Sequence, residues 1–313
     1  MAKKIIGIGE TVLDIVFRGG QPIAAVPGGS TFNAMVSLGR TAGRRFPDIP
    51  IIMITQVGDD QVADIITDFM LHNGLSTEGV KRVPGTQSTV SMAVLDENND
   101  AHYEFFRDRG TPPFEELPEL CFEPGDLVVF GSFFAISTST RGAVKRLVDA
   151  AHAAGAIIYY DINFRRSHLA DLPTSLGFII ENCAASDVVR GSADDIEFLF
   201  CTRNAAEVYE KHISPLCGTF ICTKGADSTE VFSPVGRAEF PVAKIDTVTT
   251  IGAGDNFNAG FVYALLTGGF TKERIAVLTP EDWAHLVPIA TKFSAAVCRS
   301  LYNYVDEDFI DNL

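Results

Sequence analysis

The chain has 313 residues, a formal net charge of −15 and a hydrophobic fraction of 46%, with an isoelectric point of about 4.8. This is an ordinary globular composition, long enough to bury a large core. The acidic balance disfavours nucleic acid and anionic membranes as partners, and no apolar run approaches the roughly 20 residues that cross a bilayer. The apolar run after Met1-Ala2-Lys3-Lys4 is too short for a secretory signal. The six cysteines show neither C-x-x-C spacing nor zinc-site histidines, so free buried thiols in a cytoplasmic protein are expected.

In chain order, the pattern predicts a strand over 5–8, an extended piece over 13–26, a helix over 31–39, a strand over 51–57 and a helix over 62–73. Ser88 to Phe106 alternates like an antiparallel hairpin around the polar turn 96–100, and Pro112, Pro113 and Pro118 mark a turn-rich link. Strands follow over 127–131, 157–161, 187–190, 219–223 and 231–232, with helices over 140–153, 193–199 and 205–211. The strands are β-branched and almost continuously apolar, as in strands covered on both faces. Strand and helix alternate as in repeated βαβ units around a mostly parallel central sheet. The pieces 13–26 and 88–106 break that rhythm and are expected to form a small sheet projecting from the core.

Four motifs carry the chemistry. Thr249-Thr250-Ile251-Gly252-Ala253-Gly254-Asp255-Asn256-Phe257 leads small residues into an acidic residue where a helix starts; Phe257, Phe261, Ala264 and Leu265 fall at helical spacing before Gly268-Gly269. A Gly-Ala-Gly turn lets backbone approach a ligand, and the free N–H groups of the helix favour an anion. A carboxylate beside that anion suits a base in phosphoryl transfer; otherwise Asp255 merely satisfies first-turn N–H groups. In Pro27-Gly28-Gly29-Ser30-Thr31-Phe32-Asn33, two glycines again precede a helix. Asn33 has both a donor and an acceptor to offer a hydroxyl, or it is an ordinary surface helix residue. Asp14, in Gly9-Glu10-Thr11-Val12-Leu13-Asp14, follows the first strand, where ligands of such sheets bind, or it only forms a turn. Asp161, Asn163 and Arg165 alternate beyond another strand, so they can project to one side, or they form a surface ion pair. There is no G-x-x-x-x-G-K-[ST], no third glycine after Gly7-Ile8-Gly9 and no G-x-S-x-G.

In this order and at these separations, the motifs resemble the PfkB (ribokinase-like) carbohydrate kinase family, over nearly the whole chain from Gly7 to about Tyr304. The resemblance implies one ribokinase-like domain over 1–313, with a three-layer α/β/α core, a mostly parallel sheet and a small β-sheet lid formed by about 13–26 and 88–106. It implies that Asp255 is the catalytic base, that Gly252, Ala253 and Gly254 hold the transferred phosphoryl group, and that Asp14, Gly28, Gly29 and Asn33 hold the sugar. The Asp161-x-Asn163-x-Arg165 pattern is similar to that of fructokinases and 2-keto-3-deoxygluconate kinases, and adds these three residues to the sugar site. ATP and Mg²⁺ are the implied co-reactants.

The sequence departs from the family pattern in places. Thr249 stands where the family places an acidic residue, in a region that binds a monovalent cation in many members, which puts a K⁺ requirement in doubt. The Asn-x-x-Glu element reads Ser192-Ala193-Asp194-Asp195, leaving Asp195 to order the metal's waters, and Arg190 stands where the family often has Lys. In the nucleotide loop Lys224 replaces a glycine; only Thr223 and Gly225 carry over, with Arg190, as nucleotide-binding residues. The expected activity is ATP-dependent phosphorylation of a primary hydroxyl, foremost of fructose. The rival within the class is a 2-keto-3-deoxygluconate kinase, whose acid substrate needs a cation from Arg107 or Arg165. The rival from another class is a sugar sensor without catalysis. Unpaired lid edges also suggest a homodimer through the lid.

Overall fold

The computed structural model describes residues 3–96, 101–108, 110–115, 118 and 120–313. Its strands are β1 (Ile5–Ile8), β2 (Val12–Arg18), β3 (Gln21–Gly28), β4 (Ile51–Gly58), β5 (Val80–Val83), β6 (Val90–Leu95), β7 (Ala101–Phe106), β8 (Leu127–Gly131), β9 (Ile157–Asp161), β10 (Val188–Ser192), β11 (Phe220–Thr223), β12 (Ser228–Ser233) and β13 (Gly236–Pro241). The helices are α1 (Ser30–Arg45), α2 (Gln61–His72), α3 (Arg141–Ala153), α4 (Leu172–Ala184), α5 (Ala193–Phe200), α6 (Ala205–Val208), α7 (Ala253–Thr267), α8 (Lys272–Ile275), α9 (Pro280–Cys298) and α10 (Glu307–Asp311).

Nine strands form the central sheet in the order β13-β12-β11-β10-β9-β8-β1-β4-β5. From β11 to β5 all pairings are parallel, and β12 and β13 add an antiparallel edge. Successive side chains along each strand enter opposite cores. Ile5, Met53, Val129, Tyr159 and Ile221 pack under α1, α2, α7 and α9. Ile6, Ile8, Ile54, Phe130, Tyr160 and Phe220 pack under α3, α4, α5 and α6. This is the three-layer α/β/α arrangement expected from nearly continuous apolar strands.

A second sheet has the order β3-β2-β6-β7, with β2 and β6 parallel and the outer pairs antiparallel. The piece 13–26, read from sequence as a single extended segment, is instead a hairpin that reverses at Gly19-Gly20, both at positive φ. The second hairpin falls as the alternation predicts; residues 97–100 of its turn lie outside the described residues.

Six other elements were not predicted: β5, β13, α4, α8, α10 and most of α9. Helix α9 runs through Pro288, a residue that removes one backbone donor from a helix interior. Its start is fixed by a capping box between Thr279 and Asp282 and by Pro280 in the first turn. The predicted helix 205–211 ends its α-helical part at Val208 and continues as a π turn over Tyr209–Ile213.

Helices α7 and α9 meet so closely at Gly260 that a Cβ there would lie 2.7 Å from the Ala290 Cα and 3.0 Å from the Phe293 Cβ. Replacement by Ala would gain about 1 kcal/mol of helix propensity. A backbone neighbour cannot swing away, however, and overpacking costs about 1–3 kcal/mol. We therefore predict that Gly260→Ala lowers the melting temperature by a few degrees; an unchanged or raised value would show that the two helices can part without cost.

Candidate active site

Helix α7 begins at a junction of two clefts. Gly252 caps it in the left-handed region, at φ 75°, where a Cβ would also press on the Asn303 carbonyl oxygen at 3.1 Å. Gly252 and Asp255 line a cleft of about 680 Å³ between the central sheet's carboxyl edge and the four-stranded sheet. Ala253 and Gly254 line a second cleft of about 610 Å³, which opens beside β10, β11 and α9. Both volumes are in the range of small-molecule sites. The first turn of one helix thus forms the wall between them.

Asp255 is buried, and its two carboxylate oxygens have separate partners. The Ser30 hydroxyl donates to Oδ1 at 2.8 Å and the Asn33 amide to Oδ2 at 2.9 Å. Ser30 accepts in turn from Asn163 Nδ2 at 2.8 Å, and Asn163 itself sits at φ 36° in a left-handed turn after β9. Burial raises the proton affinity of Asp255; the bonds from Asn33 and Ser30 and the charge of Arg165 pull the other way. Asn33 Oδ1 is buried without a protein partner, which leaves an acceptor for a bound molecule.

Asp14 lies on β2 opposite Ser91 of β6, whose hydroxyl donates to Asp14 Oδ1. Burial pushes its carboxyl up to about 6 against the pull of Ser91 and Arg165, with Glu10 and Asp255 adding like charge. Gly28 stands directly behind it: a Cβ there would meet Asp14 Oδ2 at 2.2 Å. Gly29 lines the cleft as α1 begins. The Arg165 guanidinium lies 5.8 Å over the Tyr103 ring, and both residues line the cleft. Burial raises the Tyr103 phenol, so it stays a neutral donor. Arg107 also lines the cleft, but Glu10 holds it in a bidentate pair at 2.9 and 3.0 Å, so its charge is already matched.

Two assignments are corrected. Asp161, expected to hold the sugar, turns its carboxylate away from the first cleft: Oδ1 pairs with Arg190 Nη1 at 3.0 Å and Oδ2 accepts from Asn258 Nδ2 at 2.7 Å. Asp195, expected to order metal-bound water, is the third residue of α5 and closes a capping box with Ser192, the helix cap. Its Oδ2 accepts from the backbone and hydroxyl of Ser192, and its Oδ1 from Phe164 N at 2.7 Å. With these bonds it faces neither cleft, and Asp194 is the residue of that pair that lines the second.

The second cleft gathers Arg190, Thr223 and Gly225. Arg190 Nη2 donates to the Thr223 hydroxyl at 2.6 Å, and the guanidinium packs so close to Gly254 that a Cβ there would meet Nη1 and Nη2 at 3.1 Å each. Burial alone would lower the Arg190 pKa, but the charge of Asp161 outweighs it and keeps the guanidinium ionised. Lys224 is paired with Glu230 at 2.5 Å, on the same cleft. Sequence reasoning missed Ser30, Glu10, Tyr103 and Asn303 as cleft residues; Ser30 and Glu10 had a signal, since each lies inside a motif singled out above. Among the described residues, no group of three or more His, Cys, Asp or Glu could hold a metal by itself, and no helix is long and apolar enough to cross a membrane.

The fructokinase of Rhizobium leguminosarum bv. trifolii is 26% identical over 286 residues, covering 88% of this chain and 84% of the relative. The structure of fructokinase from Vibrio cholerae O395 with fructose, ADP and calcium superposes with a TM-score of 0.83 at 17% identity, covering 99% of this chain and 98% of that one. A double mutant of that enzyme with fructose, ADP and potassium gives a TM-score of 0.82 at 17% identity, with the same coverage. The family model for pfkB family carbohydrate kinases matches residues 4–304, almost the entire chain: this protein belongs to that family and is a sugar kinase.

Proposed function

We propose that the enzyme transfers the γ-phosphoryl group of ATP to a primary hydroxyl of fructose. The observation that carries this reading is the α7 N-terminus: its carboxylate enters one cleft while the backbone of Ala253 and Gly254 lines the other. A sugar in the first cleft would set its hydroxyl against Asp255. A triphosphate in the second would bring its terminal phosphoryl group to the Gly252–Gly254 amides. The fructokinase relatives and the fructose and ADP in the Vibrio cholerae structure support both halves.

A sugar hydroxyl is a poor nucleophile at neutral pH. Asp255, with its proton affinity raised by burial, accepts the proton as the bond to phosphorus forms. The Gly254 N–H and the helix dipole would offset charge on the transferred group, the Ala253 N–H already donating to Thr250 O at 3.2 Å. Arg190, pressed against Gly254, adds a fixed cation where a chain of net charge −15 would otherwise repel the nucleotide. Magnesium would enter as part of the MgATP substrate, with Asp194, paired to Arg203 at 2.8 Å, the carboxylate that lines that cleft. Ionised Asp14 and the free Asn33 Oδ1 would accept from sugar hydroxyls. The four-stranded sheet would act as the lid that keeps water from the phosphoryl group, and its outer strands, β3 and β7, would pair the lids of two subunits. The six free cysteines favour a reducing, cytoplasmic setting.

A second reading, phosphorylation of an acid sugar such as 2-keto-3-deoxygluconate, is favoured by Arg165, a cleft guanidinium that meets the Tyr103 ring rather than a carboxylate partner. A panel of sugars with MgATP, read by ADP release, separates the two: fructose should give the highest kcat/KM, and preference for the acid sugar would replace the first reading.

Three further outcomes are expected. Asp255→Asn should lower kcat by about two to four orders of magnitude while sugar affinity holds; near-normal turnover would remove Asp255 as the base. Asn33→Ala should raise the sugar KM more than the ATP KM, and the reverse would place the sugar elsewhere. Asp14 links pH to stability and binding. Its folded value, about 6, lies above the ordinary 3.8, so the folded state binds its proton more tightly and loses stability from this group as pH rises between about 4 and 6. Asp14→Asn should therefore stabilise the sugar-free protein at pH 8 by roughly 3 kcal/mol, with the gain shrinking below about pH 6 and gone below about pH 4. The same variant should weaken sugar binding. Equal melting shifts at all pH values would rule out a perturbed Asp14.

A further inference from the structure

Asn256 follows the proposed base and is completely buried. Its Nδ2 donates to two backbone carbonyls, Gly252 O and Asn303 O, each at 2.8 Å. Its Oδ1 accepts from the Ser37 hydroxyl at 2.6 Å, and the same hydroxyl accepts from Val305 N at 3.2 Å. One neutral amide therefore joins the turn before α7, the C-terminal strap at 303–305 and helix α1. The strap is also held by Arg40, which donates to Val305 O at 2.6 Å.

These contacts bear on the phosphoryl-binding turn directly. Gly252 is its first residue, and Asn303 packs against Gly252. The Gly252 carbonyl, which also accepts from Asn256 N at 2.9 Å, shares a planar peptide unit with the Ala253 N–H, so if it were free to rotate that N–H would rotate with it. An amide cradle that reorients during reaction gives up much of its electrostatic advantage.

A bound monovalent cation is another way to draw the carbonyls of adjacent loops to one point, and a related enzyme has been solved with potassium. The residues here do not fit such an ion. Thr249 stands where the family has a carboxylate. Its hydroxyl accepts from Ile251 N at 3.2 Å and its N–H donates to Cys298 O at 3.4 Å. Two carbonyl oxygens do converge, but on the Asn256 amide nitrogen, which supplies two N–H donors and no net charge.

We propose that Asn256 is the positioning residue that fixes the Gly252–Gly254 cradle, and that through it this enzyme works without a monovalent cation. The proposal rests on the phosphoryl-transfer reading of that turn.

The test uses the full-length enzyme, MgATP and the sugar that the panel selects. Turnover in potassium chloride and in choline chloride at equal ionic strength should agree within twofold; greater activation by potassium overturns the proposal. Asn256→Asp keeps the acceptor toward Ser37 and removes the donors. It should lower kcat by about 10- to 100-fold, with both KM values within threefold of the parent. It should also weaken the complex of ADP, aluminium fluoride and sugar at least tenfold while ADP alone binds as before. A merely structural role would instead move the melting temperature and both KM values together, and that result overturns the assignment. If the Asp variant does not fold, Ser37→Ala, which leaves the amide in place but unoriented, should show a smaller fall in kcat of the same pattern; unchanged kcat overturns the assignment. If Asn256→Asp turns over normally and Asp255→Asn does not, the clamp fails and the base stands. If both turn over normally, the phosphoryl-transfer reading fails and the clamp with it.

Discussion

The structure is organised around a carboxylate buried at the positive end of a helix. Removing Asp255 from water disfavours its charged form, and three features offset that cost: the hydroxyl of Ser30, the amide of Asn33 and the free N–H groups of the α7 first turn. The same features leave one face of the carboxylate toward the cleft. Ser30 and Asn33 both belong to the first turn of α1, so the helix that follows the paired glycines and the helix that follows Gly-Ala-Gly meet end to end over one functional group. Their mutual packing, through Ser37 and Asn256, extends this junction into the core.

A second buried charge organises the other side. Arg190 and Asp161 pair on neighbouring parallel strands, β10 and β9. Burying such a pair is expensive unless further hydrogen bonds complete it. Thr223 on β11 accepts from the guanidinium and Asn258 on α7 donates to the carboxylate, with Tyr159 donating to Asn258 in turn, while Arg190 Nε stays buried without a partner. The network runs across three strands into the helix whose start separates the clefts. A cation is thereby fixed beside Gly254 without a flexible surface side chain, and the local positive charge survives in a chain with a strong acidic excess.

The three-layer core was legible in the sequence because buried parallel strands have no polar face, and runs such as Ile5–Ile8 and Leu127–Gly131 carry that pattern on few residues. Helix α9 was not legible, since Pro288 interrupts the periodic signal and only tertiary packing on α7 keeps the helix continuous. The hairpin at Gly19-Gly20 was read as one piece because its strands alternate only weakly. The glycine motifs pointed to a ligand, and their side-chain neighbours Asn33 and Asp255 meet there. Asp161 and Asp195 were misread for one reason: a carboxylate at the end of a strand or the start of a helix can face a ligand or satisfy its own scaffold. Spacing along the chain does not distinguish the two. Arg107 was a candidate cation whose partner, Glu10, lies 97 positions away.

By itself, the sequence determined the layer architecture, the two glycine turns and the residue types at each helix start, because hydrophobic period and backbone freedom are local properties. The tertiary structure alone decided which polar side chains are spent on one another and which remain available. Asp161, Asp195, Arg107 and Asn256 are all committed to partners within the protein, whereas Asn33 Oδ1 is left with an open valence. That difference follows from hydrogen bonding at distances near 3 Å: it depends mostly on atoms brought together across the fold, as Arg107 meets Glu10 and Asp161 meets Asn258.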